Sequence, residues 1–247
     1  MPNLSSPIPR GRIDLHSHLL PGIDDGCRTL DESIECVKRL MARGYVGTVC
    51  TPHVMRSLFP NNTPGPIAAA VAVLQEQLRE AGLDYLVWPG GELRVTADTI
   101  SWVETGGVPT LGNSRAVLMD WWDADWPKYA DDVFDYFLER GYQPILAHPE
   151  RMHLPDAELF AVLESLQNRG VLLQGNFNSM SGGEGVSAAV RLEKLLSTDR
   201  YHLMACDMHR PDSLKGRFAG LDLLERTIGP ERVALYLEQR PREILAG

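Results

Sequence analysis

The chain contains 247 residues, of which 23% are charged and 44% hydrophobic, as in ordinary globular proteins. Its formal net charge of −9 at pH 7 argues against non-specific nucleic-acid binding, which requires a basic surface. No apolar run approaches the length of a membrane span, and the N-terminal sequence MPNLSSPIPRGR lacks the apolar core of a signal peptide. The four cysteines form no CxxC motif, so we expect reduced thiols in a cytoplasmic protein.

Seven short apolar runs alternate with helical segments along the chain. Most are continuous rather than alternating, as expected for strands buried on both faces of a parallel sheet. In chain order, the runs are RIDLH, YVGTVC, YLVW, AVLM, QPILA, VLLQG and HLMAC. Seven strand–helix repeats fit a closed or nearly closed parallel barrel better than an open sheet, and we treat residues 1–247 as one α/β domain.

The helical segments carry their own boundary signals. In the first, TLDESIECVKRLMARG, Thr29 and Glu32 can form a capping box, and Gly44 can end the helix. Similar segments are PIAAAVAVLQEQLREAG, KYADDVFDYFLERG, PDAELFAVLESLQNRG and GVSAAVRLEKLLS, with a shorter one in TADTISWVETGG. Two helices, over residues 214–227 and 230–245, are predicted after the last strand.

The first apolar run ends in two histidines one residue apart. If the sequence RIDLHSH is extended, Asp14, His16 and His18 lie on one face of the strand. Two imidazoles then point the same way, as a divalent metal requires, and Asp14 could orient one of them through a hydrogen bond. This stretch alone leaves surface or core histidines as an equal alternative.

Polar side chains also follow the other strands, at the edge where parallel barrels hold their functional groups. Each of these has a structural explanation by itself, but five of the seven histidines fall at equivalent places with carboxylates beside them. The candidate ligands are His16, His18, Asp25, His53, Glu92, Asp120, His148, Asp207 and His209, with Arg151 close by. Nine such ligands suffice for two or three ions, and the absence of a thiolate favours Mn, Fe or Zn. His153 and His202 fall outside the pattern and are interpreted as structural.

The motifs IDLHSH, IDDG with TLDES, TPH, GGEL, LAHPERM and CDMH occur in this order between residues 13 and 209. Together they resemble the polymerase-and-histidinol-phosphatase (PHP) family of metal-dependent phosphoesterases. The most similar branch is that of the bacterial CpsB/YwqE-type protein-tyrosine phosphatases, which are linked to capsule and exopolysaccharide synthesis. The resemblance implies a distorted seven-stranded (β/α) TIM-like barrel that holds three metal ions, commonly manganese.

The resemblance also implies roles for individual residues. Arg151 of the HPER motif would contact the substrate phosphate, and Glu92 would bridge two ions. The ligand groups implied for the three ions are His16, His18 and Asp207 with Glu92; Asp120 and His148 with Glu92; and Asp25, His53 and His209. Arg151, Glu92 and His148 are therefore the predicted catalytic residues.

Two positions depart from the pattern of this branch. The carboxylate after the fourth strand is normally Glu, whereas here it is Asp120, whose side chain is one methylene shorter. A second arginine is usual shortly after the D-x-H motif. Here Arg210, Lys215 and Arg217 are out of register, so none is assigned.

The ligand set predicts hydrolysis of phosphomonoesters by a hydroxide that bridges metal ions, with Arg151 binding the phosphoryl oxygens. The resemblance implies a phosphotyrosyl protein as substrate, such as the tail of a polysaccharide-synthesis tyrosine kinase. Trp121, Trp122 and Trp126 could form a wall for the tyrosine ring, or simply pack below their loop.

Three alternatives remain at this point. The substrate could be a small phosphomonoester such as histidinol phosphate, or the protein could be a metal-binding scaffold without turnover. The spacing from Cys50 to Arg56 also matches the C-x5-R signature of cysteine-dependent phosphatases. That segment has no glycine, and Pro52 removes one N–H donor from the loop that would hold a phosphate.

Overall fold

A computed structural model describes residues 8–247. The prediction that no signal peptide is present rests mainly on residues 1–7, which lie outside the described residues. The strands are β1 Arg12–Asp14, β2 Tyr45–Cys50, β3 His53–Val54, β4 Leu86–Pro89, β5 Glu92–Arg94, β6 Ala116–Asp120, β7 Gln143–Ala147, β8 Leu172–Asn176 and β9 Leu203–Ala205. The α-helices are α1 Leu30–Met41, α2 Pro64–Glu80, α3 Thr99–Gly106, α4 Lys128–Glu139, α5 Asp156–Asn168, α6 Phe177–Met180, α7 Val186–Ser197, α8 Leu214–Ala234 and α9 Arg240–Ala246.

All strand pairs between these elements are parallel, as the continuous apolar runs predicted. They form a three-stranded sheet in the order β1-β2-β4 and a six-stranded sheet in the order β3-β5-β6-β7-β8-β9. The α/β class with a parallel sheet is therefore confirmed. The single closed barrel of seven strands is not, because hydrogen bonding divides the strands between two sheets.

Two interruptions explain why more strands are present than the seven runs predicted. Pro52 lies between β2 and β3 and has no N–H to donate. Gly90 and Gly91 separate β4 from β5, and both are closely packed. A Cβ on Gly90 would lie 2.7 Å from Cγ1 of Val49, and one on Gly91 would lie 2.6 Å from Cγ2 of Val54.

The residues that follow β1 contact the residues that follow β9 and those that follow β2. The N–H of His18 donates to the carbonyl of Met208 at 2.8 Å, and the N–H of Asp207 donates to the carbonyl of His16 at 2.9 Å. The N–H of Thr51 donates to the carbonyl of Ser17 at 2.8 Å. These bonds bring the C-terminal ends of three strands together, although the strands lie far apart in the sequence.

The core has two parts, one on each face of the strands. A smaller cluster includes Ile13, Val49 and Leu118, and a larger one fills the space between the strands and the helices. All five residues of β6 are buried. Burial on both faces explains why the strand sequences are continuously apolar.

Helix ends follow the sequence signals in part. The hydroxyl of Thr29 accepts from the N–H of Glu32 at 3.3 Å, but the Glu32 carboxylate accepts from the N–H of Arg28 instead, so only half of the predicted capping box forms. Gly229, with φ of 75°, breaks the helical geometry of α8 at the predicted boundary before Pro230. Across residues 8–247, no helix is both long enough and apolar enough to cross a membrane.

Candidate metal centre

Eight of the nine predicted metal ligands converge in three overlapping groups, although they come from distant parts of the chain. In each group, one potential ligand atom per residue lies within 4.8 Å of the others. The groups are His18, Asp25, His53 and His209; His16, His18 and Asp207; and His16, Glu92 and His148. The second and third groups are fully buried, whereas Asp25 of the first is exposed.

Glu92, at the start of β5, is the centre of the buried groups. Its Oε1 lies 2.9 Å from Nε2 of His148 and 3.4 Å from Nε2 of His16. Its Oε2 lies 2.9 Å from Nδ1 of His53 and 3.4 Å from Nε2 of His18. One carboxylate therefore faces four imidazoles, an arrangement that allows it to serve more than one ion.

Asp207 and Asp25 supply the other two carboxylates of the ligand groups. Oδ1 of Asp207 lies 3.4 Å from Nε2 of both His16 and His18. Oδ1 of Asp25 lies 3.4 Å from Nε2 of His53 and 3.6 Å from Nε2 of His209. The centre therefore extends from a buried interior to a partly exposed mouth.

Asp120 lies apart from these groups. It ends β6 beside His148, but its Oδ1 is 3.7 Å from Nδ1 of that residue, whereas Glu92 contacts Nε2. Asp120 and Glu92 thus face different nitrogens of one imidazole. The sequence expectation that Asp120 and His148 share an ion stays a prediction.

The buried polar atoms at the centre provide a test of whether a metal fits. Among the described residues, several of these atoms have no hydrogen-bond partner, which is costly inside a protein. They are His16 Nε2, His18 Nε2, Asp207 Oδ1 and both carboxylate oxygens of Asp120. Imidazole nitrogens and carboxylate oxygens are ligands for Mn, Fe and Zn, so the residues fit divalent cations of this kind.

The electrostatics of the centre also favour positive charge. Burial alone would lower the pKa of His53, but the charge of Glu92 and a hydrogen bond with Asp25 raise it to about 10. Burial would likewise lower the pKa of His16, but the charges of Glu92 and Asp207 raise it. At the mouth, burial and the charge of His18 lower the pKa of His209 to about 4. The carboxylates therefore create a field in which a cation at the centre is stabilised.

Two residues hold the imidazoles in position. Nδ1 of His16 lies 2.8 Å from Oε1 of Gln174, and Nδ1 of His18 lies 2.7 Å from Oδ2 of Asp24. Both partner oxygens can only accept, so each Nδ1 carries a hydrogen, and Nε2 is the nitrogen that would bind an ion. Gln174 was not predicted, although a glutamine inside an apolar strand is a usable signal.

The predicted orienting role of Asp14 is wrong. Its Oδ1 accepts from the N–H of Cys206 at 3.0 Å and from that of His16 at 3.4 Å, so it binds backbone rather than an imidazole. β1 ends at Asp14, before the two histidines. Burial raises the pKa of Asp14 to about 7.

Arg151 lies at the edge of the ligand groups. Its Nη1 is 3.3 Å from Oδ2 of Asp207, and its Nη2 is 3.2 Å from Nε2 of His148. The preceding Glu150 is fully buried, and its carboxylate accepts from the N–H of Asn176 and the hydroxyl of Tyr201. These bonds fix the HPER turn, a role that the sequence analysis missed.

The basic residues after the D-x-H motif have different surroundings. Arg217 is buried, and its Nε donates to the carbonyls of Cys206 and Asp207, at 2.9 and 2.7 Å. It thereby supports the backbone of the loop that carries Asp207 and His209. Arg210 and Lys215 are not buried.

The cysteine-dependent alternative conflicts with the structure. Cys50 is fully buried, and burial raises the pKa of its thiol, so no thiolate is available. Arg56 is exposed, and its Nη1 lies 3.5 Å from Oδ2 of Asp98. The two residues form no phosphate-binding loop.

Comparison with known proteins agrees with this geometry. A family model described as capsular polysaccharide synthesis, CpsB/CapC, matches residues 12–246. A putative tyrosine-protein phosphatase, CapC of Staphylococcus aureus, is 29% identical over 215 residues, which cover 83% of this chain and 82% of that protein. The tyrosine-protein phosphatase YwqE of Bacillus subtilis is 27% identical over 197 residues, covering 80% and 77% of the two chains.

A solved structure of such a phosphatase is also similar to this chain. It comes from work on YwqE of Bacillus subtilis and CpsB of Streptococcus pneumoniae, described as unique metal-dependent tyrosine phosphatases. The TM-score is 0.82 at 26% identity, and the match covers 95% of this chain and 94% of the other. The resemblance to this branch is confirmed: the chain belongs to the CpsB/CapC family of capsular polysaccharide synthesis.

Proposed function

We propose that this protein is a metal-dependent tyrosine-protein phosphatase. The observation that carries the proposal is a cluster of buried histidine and carboxylate atoms without hydrogen-bond partners, with the guanidinium of Arg151 beside it. The names of the relatives, which describe tyrosine-protein phosphatases and metal dependence, support the same activity.

We propose that the centre holds three divalent ions, with Mn preferred and Fe or Zn as alternatives. The three ligand groups support this number, and Glu92 contacts members of all three. Asp120 would complete the set beside His148. When bound, such ions activate water and neutralise charge on a phosphoryl group.

The residues of the chain contribute binding and orientation. His16 and His18 are held by Gln174 and Asp24 so that Nε2 faces the centre. Burial would lower the pKa of Arg151, but the charge of Asp207 and other carboxylates raises it, so this side chain stays cationic and can bind phosphoryl oxygens in a fork. A tyrosine leaving group has a pKa of about 10, so it departs with less protonation than an alkyl alcohol needs.

Further parts of the proposal concern the fold and the biological setting. We propose that the two sheets are parts of one distorted seven-stranded (β/α) barrel, which the hydrogen bonds between the ends of β1 and β9 support. The four unpaired, buried cysteines support a reducing, cytoplasmic compartment. The proposed substrate is a phosphotyrosyl protein, such as the tail of a polysaccharide-synthesis kinase.

The test compares a phosphotyrosyl peptide, a phosphoseryl peptide and histidinol phosphate as substrates of the Mn-loaded protein. We expect the highest kcat/KM for the phosphotyrosyl peptide, loss of turnover in chelator and recovery on adding Mn. Glu92→Gln should abolish turnover, whereas the matched control Glu193→Gln, at an exposed position of α7, should not. A preference for histidinol phosphate would instead indicate a small-molecule phosphatase, and bound Mn without turnover would indicate a scaffold.

A further inference from the structure

A separate cavity of about 280 Å³ adjoins the metal centre. Its lining residues are Trp121, Trp122, Arg151, His153 and Glu184. Arg151 borders both spaces, because its guanidinium also contacts Asp207 and His148 of the ligand groups. A molecule whose phosphoryl group is held by Arg151 can therefore extend from the centre into this cavity.

The tryptophans near the cavity differ in their packing. Trp121 is only 2% exposed, its ring lies 4.8 Å from that of Trp126, and its Nε1 donates to the carbonyl of Asp123. Trp126 stacks on Phe134 with a centroid separation of 5.9 Å. These two residues belong to the packing below the loop, as one of the sequence alternatives stated.

Trp122 is different, because 38% of its surface is exposed. Its ring meets that of His53, a predicted ligand, at 5.6 Å and nearly at right angles. Cζ of the buried Arg94 lies 4.6 Å from the Trp122 ring centroid, and Nη2 of Arg94 donates to Asp123 at 2.8 Å. The cation–π contact holds the indole in place while part of its surface stays free.

We propose that Trp122 is the wall of an aryl-binding pocket that receives the ring of the phosphorylated residue while Arg151 holds the phosphoryl group. This inference rests on the proposed phosphatase function and assigns its specificity to one side chain. The volume is near the lower end of ligand pockets, which begin at roughly 300 Å³, so it suits one ring. Glu184, whose Oε1 is 3.7 Å from Nη1 of Arg151, disfavours a second anionic group there.

The experiment measures binding of two non-hydrolysable anions, phenylphosphonate and methylphosphonate, to the Mn-loaded protein by calorimetry. Trp122→Ala should weaken phenylphosphonate about tenfold and leave methylphosphonate within about twofold, because only the former carries a ring. Trp122→Phe should retain most of the ring contact. The matched control is Trp102→Ala, since Trp102 also lies near an arginine, Arg56, but does not line the cavity.

The outcomes separate the pocket from the phosphatase function. Equal weakening of both phosphonates by Trp122→Ala, or no weakening of either, would overturn the assignment of Trp122. Failure of the wild-type protein to prefer phenylphosphonate over methylphosphonate would also overturn it. A wild-type protein that shows this preference but hydrolyses no phosphotyrosyl peptide would refute the proposed function and leave the pocket standing.

Discussion

Gln174 offers a direct test of how the metal centre is organised. It is fully buried on β8, and its Oε1 lies 2.8 Å from Nδ1 of His16. Replacing it with leucine removes the acceptor and leaves the imidazole N–H unpaired in the interior. The variant should therefore bind the ion at His16 less tightly without losing any ligand.

The size of the effect follows from the hydrogen bond. A buried donor without its partner costs about 1–3 kcal/mol, and about 1.4 kcal/mol corresponds to a factor of ten in affinity. Loss of a group that orients a metal-bound histidine typically weakens binding about 10- to 100-fold. We expect Gln174→Leu to fall in this range, and Gln174→Glu, which retains an acceptor, to stay much closer to the wild type.

The assay is competition for Mn between the protein and a fluorescent chelator, with kcat measured at saturating Mn. Gln75→Leu is a matched control, because Gln75 bonds the backbone of Tyr85 and Val87 away from the ligand groups. Gln174→Leu with wild-type Mn affinity would refute the orienting role. The same loss in Gln75→Leu would show that general destabilisation, not the imidazole, controls binding.

The remaining predictions concern three other side chains. Arg151→Lys retains the charge but loses the paired N–H donors of the guanidinium, so kcat/KM should fall about 100-fold or more while Mn affinity stays within about threefold. An equal loss of kcat/KM and Mn affinity would contradict a role in phosphate binding. Cys50→Ser should keep activity within about twofold. A variant that is inactive but has the circular dichroism spectrum of the wild type would support the cysteine-dependent mechanism. Burial and the charge of Arg240 lower the pKa of His202 to about 4, below its ordinary value of about 6.5. As pH falls, His202 is protonated in the unfolded chain before it is protonated in the folded protein. The free energy of unfolding should therefore fall as pH drops from about 6.5 to 4. Because solvent screens this half-buried group, the expected loss of stability is about 1 kcal/mol. Urea unfolding with chelator present should show this loss in the wild type but not in His202→Gln, and equal losses in the wild type and the variant would refute the assignment.

Local sequence patterns predicted that candidate ligands from distant parts of the chain would lie together, and eight of the nine do, because one rule applies to them. Parallel strands end at the same edge, so the groups that follow β1 and β9 meet even though His16 and Asp207 are far apart in sequence. The rule needs only the order of strands and loops, and both are visible in the apolar runs. It does not specify which atom of a side chain faces which neighbour.

The orienting contacts depend on such details and were not predicted. Asp14 and His16 are two residues apart, yet the partner of His16 is Gln174, which lies 158 positions away. Within the IDDG motif, the adjacent carboxylates of Asp24 and Asp25 have different roles, one bonded to His18 and one at the mouth. A difference of one position in a loop changes the direction of a side chain, and local periodicity carries no information about it.

The irregularities that raise the number of strands above the seven predicted runs lie beside candidate ligands. Pro52 breaks the sheet before His53, and Gly90 and Gly91 break it before Glu92. His148 and Asp207 have φ of 32° and 49°, in a region that costs a non-glycine residue about 1–2 kcal/mol. In a regular strand, side chains alternate between two faces, so ligands from several strands would not all reach one point. The backbone therefore leaves strand geometry at these positions, and the rest of the fold must supply the stability that this costs.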